Sequence, residues 1–249
     1  MKSAFFQGFS AGSAIQRAVY WSSRWICFGL SKILFALRVE GGEHIPASGA
    51  AIIAANHVSY FDPVIVALAV RRPVHFMAKG ELFRFRPFGW LLRQYFVFPV
   101  DRKGSDVQAM KRALRLLAEG EILAMFPEGT RGDGSRLGPA KPGIGLIAAR
   151  SGAPVIPAFH RGTEKALPRG TWIPRPYPIS VRFGPPLRFA EVQAGEGHGR
   201  VFGFSQTIMG RIAALHTCLE GGAGTSDCRN EIAGGVVSTD PPGIREQRG

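Results

Sequence analysis

The chain contains little cysteine and few acidic residues. Its 249 residues include three cysteines, Cys27, Cys218 and Cys228, which form no C-x-x-C pair and too small a set for a disulfide framework. The protein therefore functions in a reducing compartment or needs no bridges. Eighteen acidic residues stand against 31 lysines and arginines, a balance typical of proteins that contact nucleic acid, anionic lipid or acidic proteins.

The sequence also lacks a long uninterrupted apolar segment. A membrane-spanning helix needs about 20 mostly apolar residues, and the best candidate, residues 4–37, contains Arg17, Arg24 and Lys32. Each charge costs roughly 2.5–3.5 kcal/mol at the centre of a bilayer. Helices lying in the membrane interface fit this segment better, because aromatic side chains enter the lipid while basic ones meet anionic headgroups. A helix pair packed on the core is the alternative.

Short apolar segments alternate with amphipathic ones, which predicts an α/β domain with a mixed, largely parallel sheet flanked by helices. We assign residues 1–36 to N-terminal amphipathic membrane-associating helices, 37–220 to one folded domain and 221–249 to a disordered tail. The predicted strands lie within residues 37–46, 50–56, 73–79, 95–102, 121–132, 153–160 and 178–187. The predicted helices lie within residues 63–70, 106–120, 139–152 and 202–221.

A histidine and an aspartate follow the apolar run 50–56, in the segment NHVSYFD. His57 can take a proton from a hydroxyl near neutral pH, and Asp62 can fix its tautomer and stabilise the imidazolium. Their spacing suits a turn that leads into a helix N-terminus, where the helix dipole favours a carboxylate. The same residues could instead be a strand-end histidine and a helix cap before Pro63.

Two literal motif matches lie in the wrong context. The segment GFSAG contains Ser10 but sits near the N-terminus, whereas a nucleophile elbow follows a central strand. The segment GIGLIA (143–148) resembles a dinucleotide fingerprint but follows loop-like residues instead of a strand, so a nucleotide cofactor is not expected. Without a nucleophile in the protein, His57 would have to activate the hydroxyl of a substrate.

A second polar cluster, FPEGTRG, follows the apolar residues 121–125. Glycine lets a backbone approach a ligand, and Arg131 offers a fork that matches phosphate. Arg102 follows another apolar segment. Because ligands bind at the carboxyl ends of parallel strands, one base and two arginines predict a site for a phosphorylated alcohol. An ordinary polar turn is the alternative for this cluster.

Residues 83–93, FRFRPFGWLLR, alternate arginine with aromatic and aliphatic side chains. Such mixing suits either stacking on nucleic acid bases or a membrane interface. No helix-turn-helix, zinc-finger or RNP pattern accompanies it, and the N-terminal segment also indicates a membrane. We therefore favour the membrane over nucleic acid, with a solvated loop as the alternative.

Taken together, these motifs resemble those of the glycerophospholipid acyltransferase family, which contains bacterial 1-acyl-glycerol-3-phosphate acyltransferases. NHVSYFD matches the family motif N-H-x-x-x-x-D, and FPEGTR matches a second motif in full. The segments FVFPVDR, APVIPAF and MAKGELF resemble three further family segments. The chain departs from the family pattern at Gln94 and Tyr95, where a glycine is usual, and in a longer link after FPEGTR.

The resemblance implies that residues 37–220 are an acyltransferase domain. His57, held by Asp62, would deprotonate the free hydroxyl of lysophosphatidate, which attacks the thioester of acyl-CoA or acyl-carrier protein without an acyl-enzyme and gives phosphatidate. No cofactor and no metal are implied. Substrate binding is assigned by the resemblance to Asn56, Lys79, Arg102, Glu128, Gly129, Thr130 and Arg131.

The implied partners are membrane lipids and the acyl donor, with no nucleic acid. The implied location is the cytoplasmic face of the cell membrane, as a peripheral or monotopic protein. Three alternatives stay open: an acyltransferase for another lysolipid such as lyso-ornithine lipid, a non-catalytic basic membrane-binding protein, and a hydrolase that depends on Ser10.

Overall fold

Strands and helices alternate through the part of the chain that the computed structural model describes, residues 14–100, 107–132, 134, 136–192 and 197–220. The strands are β1 (Arg38–Glu40), β2 (Ala51–Ala55), β3 (Val74–Lys79), β4 (Val97–Val100), β5 (Ile122–Met125), β6 (Val155–Arg161) and β7 (Ser180–Phe183). The helices are α1 (Ala14–Leu34), α2 (Asp62–Ala69), α3 (Arg86–Gln94), α4 (Val107–Ala118), α5 (Gly143–Ser151), α6 (Thr163–Ala166) and α7 (Gly197–Glu220). Short 3₁₀ helices span Gly42–His44, Gly80–Phe83 and Phe189–Glu191.

These strands form one sheet in the order β1-β7-β6-β2-β5-β3-β4. The strands β2 to β6 run parallel to one another. At one edge β7 is antiparallel to β6, and β1 is parallel to β7. The mixed, largely parallel sheet that the sequence predicts is therefore confirmed.

The central strand β2 is buried on both faces because helices cover both sides of the sheet. Ile52 and Ala54 pack in one apolar cluster with buried residues of α4, α5 and α7. Ala51, Ile53 and Ala55 pack in a second cluster with α2, α6 and the residues just after α1. The continuous apolar run in the sequence follows from this two-sided burial.

Helix α3 was not predicted, because its segment contains both proline and glycine. Pro87 stands in the first turn, where the missing N–H is not needed. Gly89 allows a close approach, since a Cβ there would lie 2.8 Å from the carbonyl oxygen of Phe83. Residues 86–93 of the arginine-aromatic segment thus lie in a short helix. Helix α7 also differs from prediction, beginning at Gly197, before the predicted start at residue 202.

Helix α1 packs one face on the domain. Tyr20 is buried, and the hydroxyl of Tyr95 donates to Ser23 Oγ at 2.9 Å. The Arg24 guanidinium donates to the carbonyl oxygen of Val70, just past the end of α2, at 2.6 Å. A cation at this end of α2 complements the helix dipole. Arg24, one of the three charges that interrupt the apolar segment, therefore connects α1 to α2.

The opposite face of α1 is exposed and apolar. It carries Trp25, Ile26 and Ile33, the last of which is 80% exposed. Within the described residues, no helix combines the length and apolarity that crossing a bilayer requires. Helix α1 therefore has one face packed on the rest of the fold and one exposed apolar face.

Several predictions concern residues outside the described ranges. They are the GFSAG segment with Ser10, the phosphate-binding assignment of Arg102, and the disorder of residues 221–249. These stay predictions.

Helix α5 begins at Gly143 after irregular residues 137–142, so the strand that a dinucleotide fingerprint needs is missing there. Gly145 instead lets α7 approach. A Cβ at this position would lie 2.2 Å from the carbonyl oxygen of Val201 and 2.6 Å from Ser205 Oγ. The glycine therefore serves helix packing.

We expect Gly145→Ala to lower the free energy of unfolding by roughly 1–3 kcal/mol, because the added methyl must displace the α7 backbone. The matched control is Gly143→Ala in the same helix, where a Cβ would meet no atom within 4 Å. Urea denaturation of both variants measures the effect. Equal stabilities would contradict this packing.

Candidate active site

The two polar motifs meet at the carboxyl edge of the parallel strands. His57 lies two residues beyond the end of β2, and the FPEGTR segment begins directly after β5. The two strands are neighbours in the sheet. The N–H of Gly132 donates to the carbonyl oxygen of His57 at 2.7 Å, which ties the two loops together. The sequence placed both motifs at one edge, and the structure brings them into contact.

His57 and Asp62 form a direct hydrogen bond. Nδ1 of His57 lies 2.8 Å from Oδ2 of Asp62. The same oxygen accepts the N–H groups of Val58 at 2.7 Å and Ser59 at 2.8 Å. An ionised carboxylate can only accept, so Nδ1 carries the proton and Nε2 is the nitrogen that can act as a base.

Asp62 is fully buried and is the first residue of α2. Burial, the largest influence, raises the pKa of its carboxyl, but nearby His160, the hydrogen bond from His57 and that from Ser59 N–H together outweigh burial and leave the pKa lowered. The helix N-terminus favours a negative charge as well. Asp62 is therefore a buried carboxylate suited to hold an imidazole and stabilise its charged form.

Phe126 fixes the plane of the His57 ring. The two rings stack with centroids 4.1 Å apart and an angle of 18° between their planes. The His57 side chain is 14% exposed, while that of Asp62 is inaccessible. The base thus has an orientation set by a carboxylate and a ring, and it retains access to solvent or substrate.

Glu128 joins the loop after β2 to the loop after β5. Its Oε1 accepts the N–H of His57 at 2.9 Å, and its Oε2 accepts the N–H of Gly138 at 3.0 Å. The residue is buried. Sequence reasoning placed Glu128 among the acceptor-binding residues, whereas the structure shows each of its oxygens bonded to the protein's own backbone.

Asn56 has a similar bracing position. It is buried, its amide donates to the carbonyl oxygen of His160 at 3.0 Å, and its Oδ1 accepts the N–H of His160 at 2.9 Å. These bonds join the end of β2 to β6. The side chain assigned to substrate binding is thus turned toward the neighbouring strand.

Several basic side chains lie at the edge of the sheet that carries the FPEGTR loop. The guanidinium of Arg131 lies over the ring of Tyr60, with its central carbon 3.5 Å from the ring centroid. This cation–π contact restrains the arginine side chain. Lys79 ends β3 and is exposed, as is Thr130. Arg169 donates to the carbonyl oxygen of Arg131 at 2.8 Å and so supports the loop from outside.

Lys141 is a residue that sequence reasoning missed. Gly129 has φ 71°, and a Cβ there would lie 2.7 Å from Cδ and 3.0 Å from Nζ of Lys141. The lysine therefore crosses directly over Gly129. In the sequence, Lys141 is followed two residues later by Gly143, at the end of the long link after FPEGTR. This lysine-glycine pair is the feature that could have identified it.

Comparison with known proteins agrees with these motifs. The family model described as Acyltransferase matches residues 36–161. The chain is 30% identical over 199 residues to the 1-acyl-sn-glycerol-3-phosphate acyltransferase of Bacillus subtilis (strain 168), covering 78% of this chain and 97% of that protein. It is 34% identical over 140 residues to the chloroplastic 1-acyl-sn-glycerol-3-phosphate acyltransferase LPAT1 of Arabidopsis thaliana, covering 55% of this chain but only 39% of the plant protein.

A solved structure shares the fold. The 1-acyl-sn-glycerophosphate acyltransferase PlsC of Thermotoga maritima superposes with a TM-score of 0.63 over 87% of both chains, at 22% sequence identity. At this identity the likeness concerns the architecture alone.

Replacing Asp62 tests its charged state. Because the pKa of Asp62 is lowered on folding, its stabilisation is present above the unfolded value of about 3.9 and is lost as the pH falls through the lower folded value. We expect Asp62→Asn to lower the free energy of unfolding by roughly 1–3 kcal/mol at neutral pH. The difference in the free energy of unfolding between wild type and Asp62→Asn should become smaller at acidic pH.

Urea denaturation between pH 7 and about pH 3 measures that difference. Glu119→Gln removes an exposed carboxylate just after the end of α4 and serves as the matched control, with little effect at any pH. A difference in the free energy of unfolding between wild type and Asp62→Asn that does not change with pH would contradict the assignment of Asp62 as an ionised carboxylate.

Proposed function

This chain belongs to the Acyltransferase family, and we propose that it transfers a fatty acyl group from acyl-CoA or acyl-carrier protein to the free hydroxyl of lysophosphatidate, giving phosphatidate in phospholipid biosynthesis. The observation that carries the chemistry is the 2.8 Å bond between His57 and the buried Asp62. The acceptor is supported by the similarity to the 1-acyl-sn-glycerol-3-phosphate acyltransferases of Bacillus subtilis and Arabidopsis thaliana.

In the proposed reaction, Nε2 of His57 takes the proton of the acceptor hydroxyl as that oxygen attacks the thioester carbonyl. A C–O bond forms and, after a tetrahedral intermediate, the C–S bond breaks. His57 returns the proton to the leaving thiolate, so the histidine ends the cycle neutral. Asp62 stabilises the imidazolium that exists between these two steps. The substrate is the nucleophile, and the route needs no acyl-enzyme, metal or cofactor.

Two further roles belong to the FPEGTR loop in this proposal. Its backbone N–H groups stabilise the oxyanion of the tetrahedral intermediate. Its Arg131, together with Lys79 and Lys141, binds the acceptor phosphate, and Gly129 lets the phosphate approach the backbone. Arg102 and the hydroxyl of Thr130 complete this set.

Asn56 and Glu128 are assigned to bracing the site. Their polar atoms bond the backbone of His160, His57 and Gly138, so each fixes a loop that carries a functional group. Replacing either would displace His57, which makes loss of activity a poor test of substrate contact at these positions.

An acyl-transfer assay tests the proposed activity. Purified protein in lipid micelles is incubated with lysophosphatidate and labelled acyl-CoA or labelled acyl-carrier protein. We expect diacyl product from the wild type and a decrease of roughly a hundredfold or more in His57→Gln, because general-base catalysis contributes 10²–10⁴-fold. The better thioester identifies the donor.

The matched control is His44→Gln. His44 lies in the short 3₁₀ helix after β1, at the opposite edge of the sheet, with its Nδ1 3.0 Å from the carbonyl oxygen of Phe183. This variant should retain activity. Free fatty acid released without acceptor would favour a hydrolase, and membrane binding without any turnover would favour the non-catalytic alternative.

A different lysolipid is the second candidate acceptor. Lyso-ornithine lipid carries a carboxylate in place of a phosphate, so it would use His57 but would lack the phosphate oxygens that Arg131 is proposed to bind. Comparing Arg131→Ala on both acceptors therefore separates them. A loss confined to lysophosphatidate supports a phosphate-binding role for this arginine.

We further propose that the exposed apolar residues of α1 and α3 dock on a bilayer. Trp25 and Ile33 project from α1, and Trp90 from α3, with Arg84 and Arg86 exposed at the start of α3. The two helices are adjacent, because Tyr95 at the end of α3 bonds Ser23 of α1. Aromatic and basic side chains together suit an anionic membrane interface, which in this proposal is the cytoplasmic face of the cell membrane.

Vesicle co-sedimentation tests this docking face. We expect the double variant Trp25→Ser, Ile33→Ser to bind anionic vesicles roughly tenfold more weakly or worse, since one buried large apolar side chain contributes about 1.5–3 kcal/mol. Phe202→Ser on α7, which packs on the other face of the sheet, is the control. Equal weakening by both changes would contradict the assignment.

A further inference from the structure

His160 is a buried titratable residue that the mechanism above does not use. It lies in β6, and its side chain is inaccessible to solvent. Its Nδ1 is 3.7 Å from Oδ1 of Asp62. His57 bonds the other oxygen of the same carboxylate, Oδ2. Two histidines therefore face Asp62, one on each oxygen.

The hydrogen bonds of His160 fix one of its protons. Its Nε2 lies 2.8 Å from the backbone carbonyl oxygen of Asn56, which can only accept, so Nε2 carries a proton. Its Nδ1 faces the Thr163 hydroxyl at 3.4 Å in addition to Asp62. His160 is therefore positively charged only if Nδ1 also carries a proton.

The second oxygen of the Asp62 carboxylate indicates that Nδ1 of His160 is protonated. Oδ1 of Asp62 is buried and has no hydrogen-bond partner among the described residues. An unpaired buried polar atom costs about 1–3 kcal/mol, and more when it is charged. With Nδ1 unprotonated, Oδ1 would face a lone pair. With Nδ1 protonated, Oδ1 gains a cationic neighbour, which balances the buried charge of Asp62.

We propose that His160 is a positioning residue that, with both ring nitrogens protonated, shares the Asp62 carboxylate with His57. This inference rests on the proposed role of His57 as the base. The positive charge of His160 reduces the pull of Asp62 on a second proton at His57. His160 thereby offsets part of the negative charge that faces His57 at Asp62.

In the described part of the chain, the polar groups that contact the His160 ring come from the end of β2, from α2 and from α6. From α2 the titratable group facing His160 is Asp62, and His57 reaches it through the same carboxylate. From the end of β2 and from α6 come Asn56 and Thr163, which do not titrate. On β7 the register partner is Val181.

Two isosteric variants separate the two sides of the His160 ring. His160→Gln keeps a donor near the carbonyl oxygen of Asn56 but loses the group that faces Asp62. His160→Asn keeps an amide at the position of Nδ1, facing Asp62, but loses the bond to Asn56. Both remove the charge, and thermal unfolding checks that both variants fold.

The pH profile of kcat/KM is the first readout. We expect the acidic limb to move to higher pH by roughly one unit in both variants, because a cation close to the base has been removed. We also expect His160→Gln to lose more kcat than His160→Asn, with KM for each substrate near wild type. An unmoved acidic limb, or a greater loss in His160→Asn, would overturn the proposal in favour of a purely structural role.

A second readout does not depend on turnover. Long-range ¹H–¹⁵N spectra of histidine-labelled protein distinguish protonated from unprotonated ring nitrogens, and the His160→Gln variant assigns the signal. Protons on both nitrogens at neutral pH support the proposal, and an unprotonated Nδ1 contradicts it. If His57→Gln keeps full activity while His160 is doubly protonated, the proposed function has failed and not the charge assignment.

Discussion

The carboxylate of Asp62 is the group around which the site is organised. It is fully buried, yet one of its oxygens accepts the side chain of His57 and the N–H groups of Val58 and Ser59. Since a buried charge is tolerated only when it is paired and hydrogen-bonded, the loop after β2 cannot move away from α2 without exposing it. The position of the base is therefore fixed by the same bonds that keep this part of the fold closed.

The two buried carboxylates of the site are both turned inward. Asp62 holds the histidine, and Glu128 holds the loops on either side through backbone N–H groups. The cations have the opposite placement, with Arg131 lying on Tyr60 and Lys141 over Gly129. The two carboxylates thus have hydrogen-bond donors within the protein, while these basic side chains do not pair with them in the described part of the chain.

The sequence predicted the features that depend on neighbours along the chain. The bond between His57 and Asp62 spans five residues, and the apolar run before it predicted β2. Contacts between distant residues were not predictable in this way. Glu128 bonds a residue 71 positions away, and Asn56 bonds one 104 positions away. Both contacts depend on the strand order in the sheet, which places β5 and β6 on either side of β2.

The dependence on distant residues also explains why the strand directions at the sheet edge and helix α3 were not predicted. The direction of β1 and β7 cannot be read from strands of three and four residues, because pairing at a sheet edge is decided by the connections. Helix α3 contains Pro87 and Gly89, which lower helix propensity. Only the fold reveals that Gly89 must meet the backbone of Phe83 closely.

The central claim is that the acceptor hydroxyl, activated by His57, attacks the donor thioester directly. Initial rates measured while both substrates are varied test this most directly. Direct attack requires both substrates on the enzyme together, so double-reciprocal lines should intersect. Parallel lines, the pattern of a ping-pong reaction with a covalent acyl-enzyme, would contradict the account and would require a nucleophile in the protein.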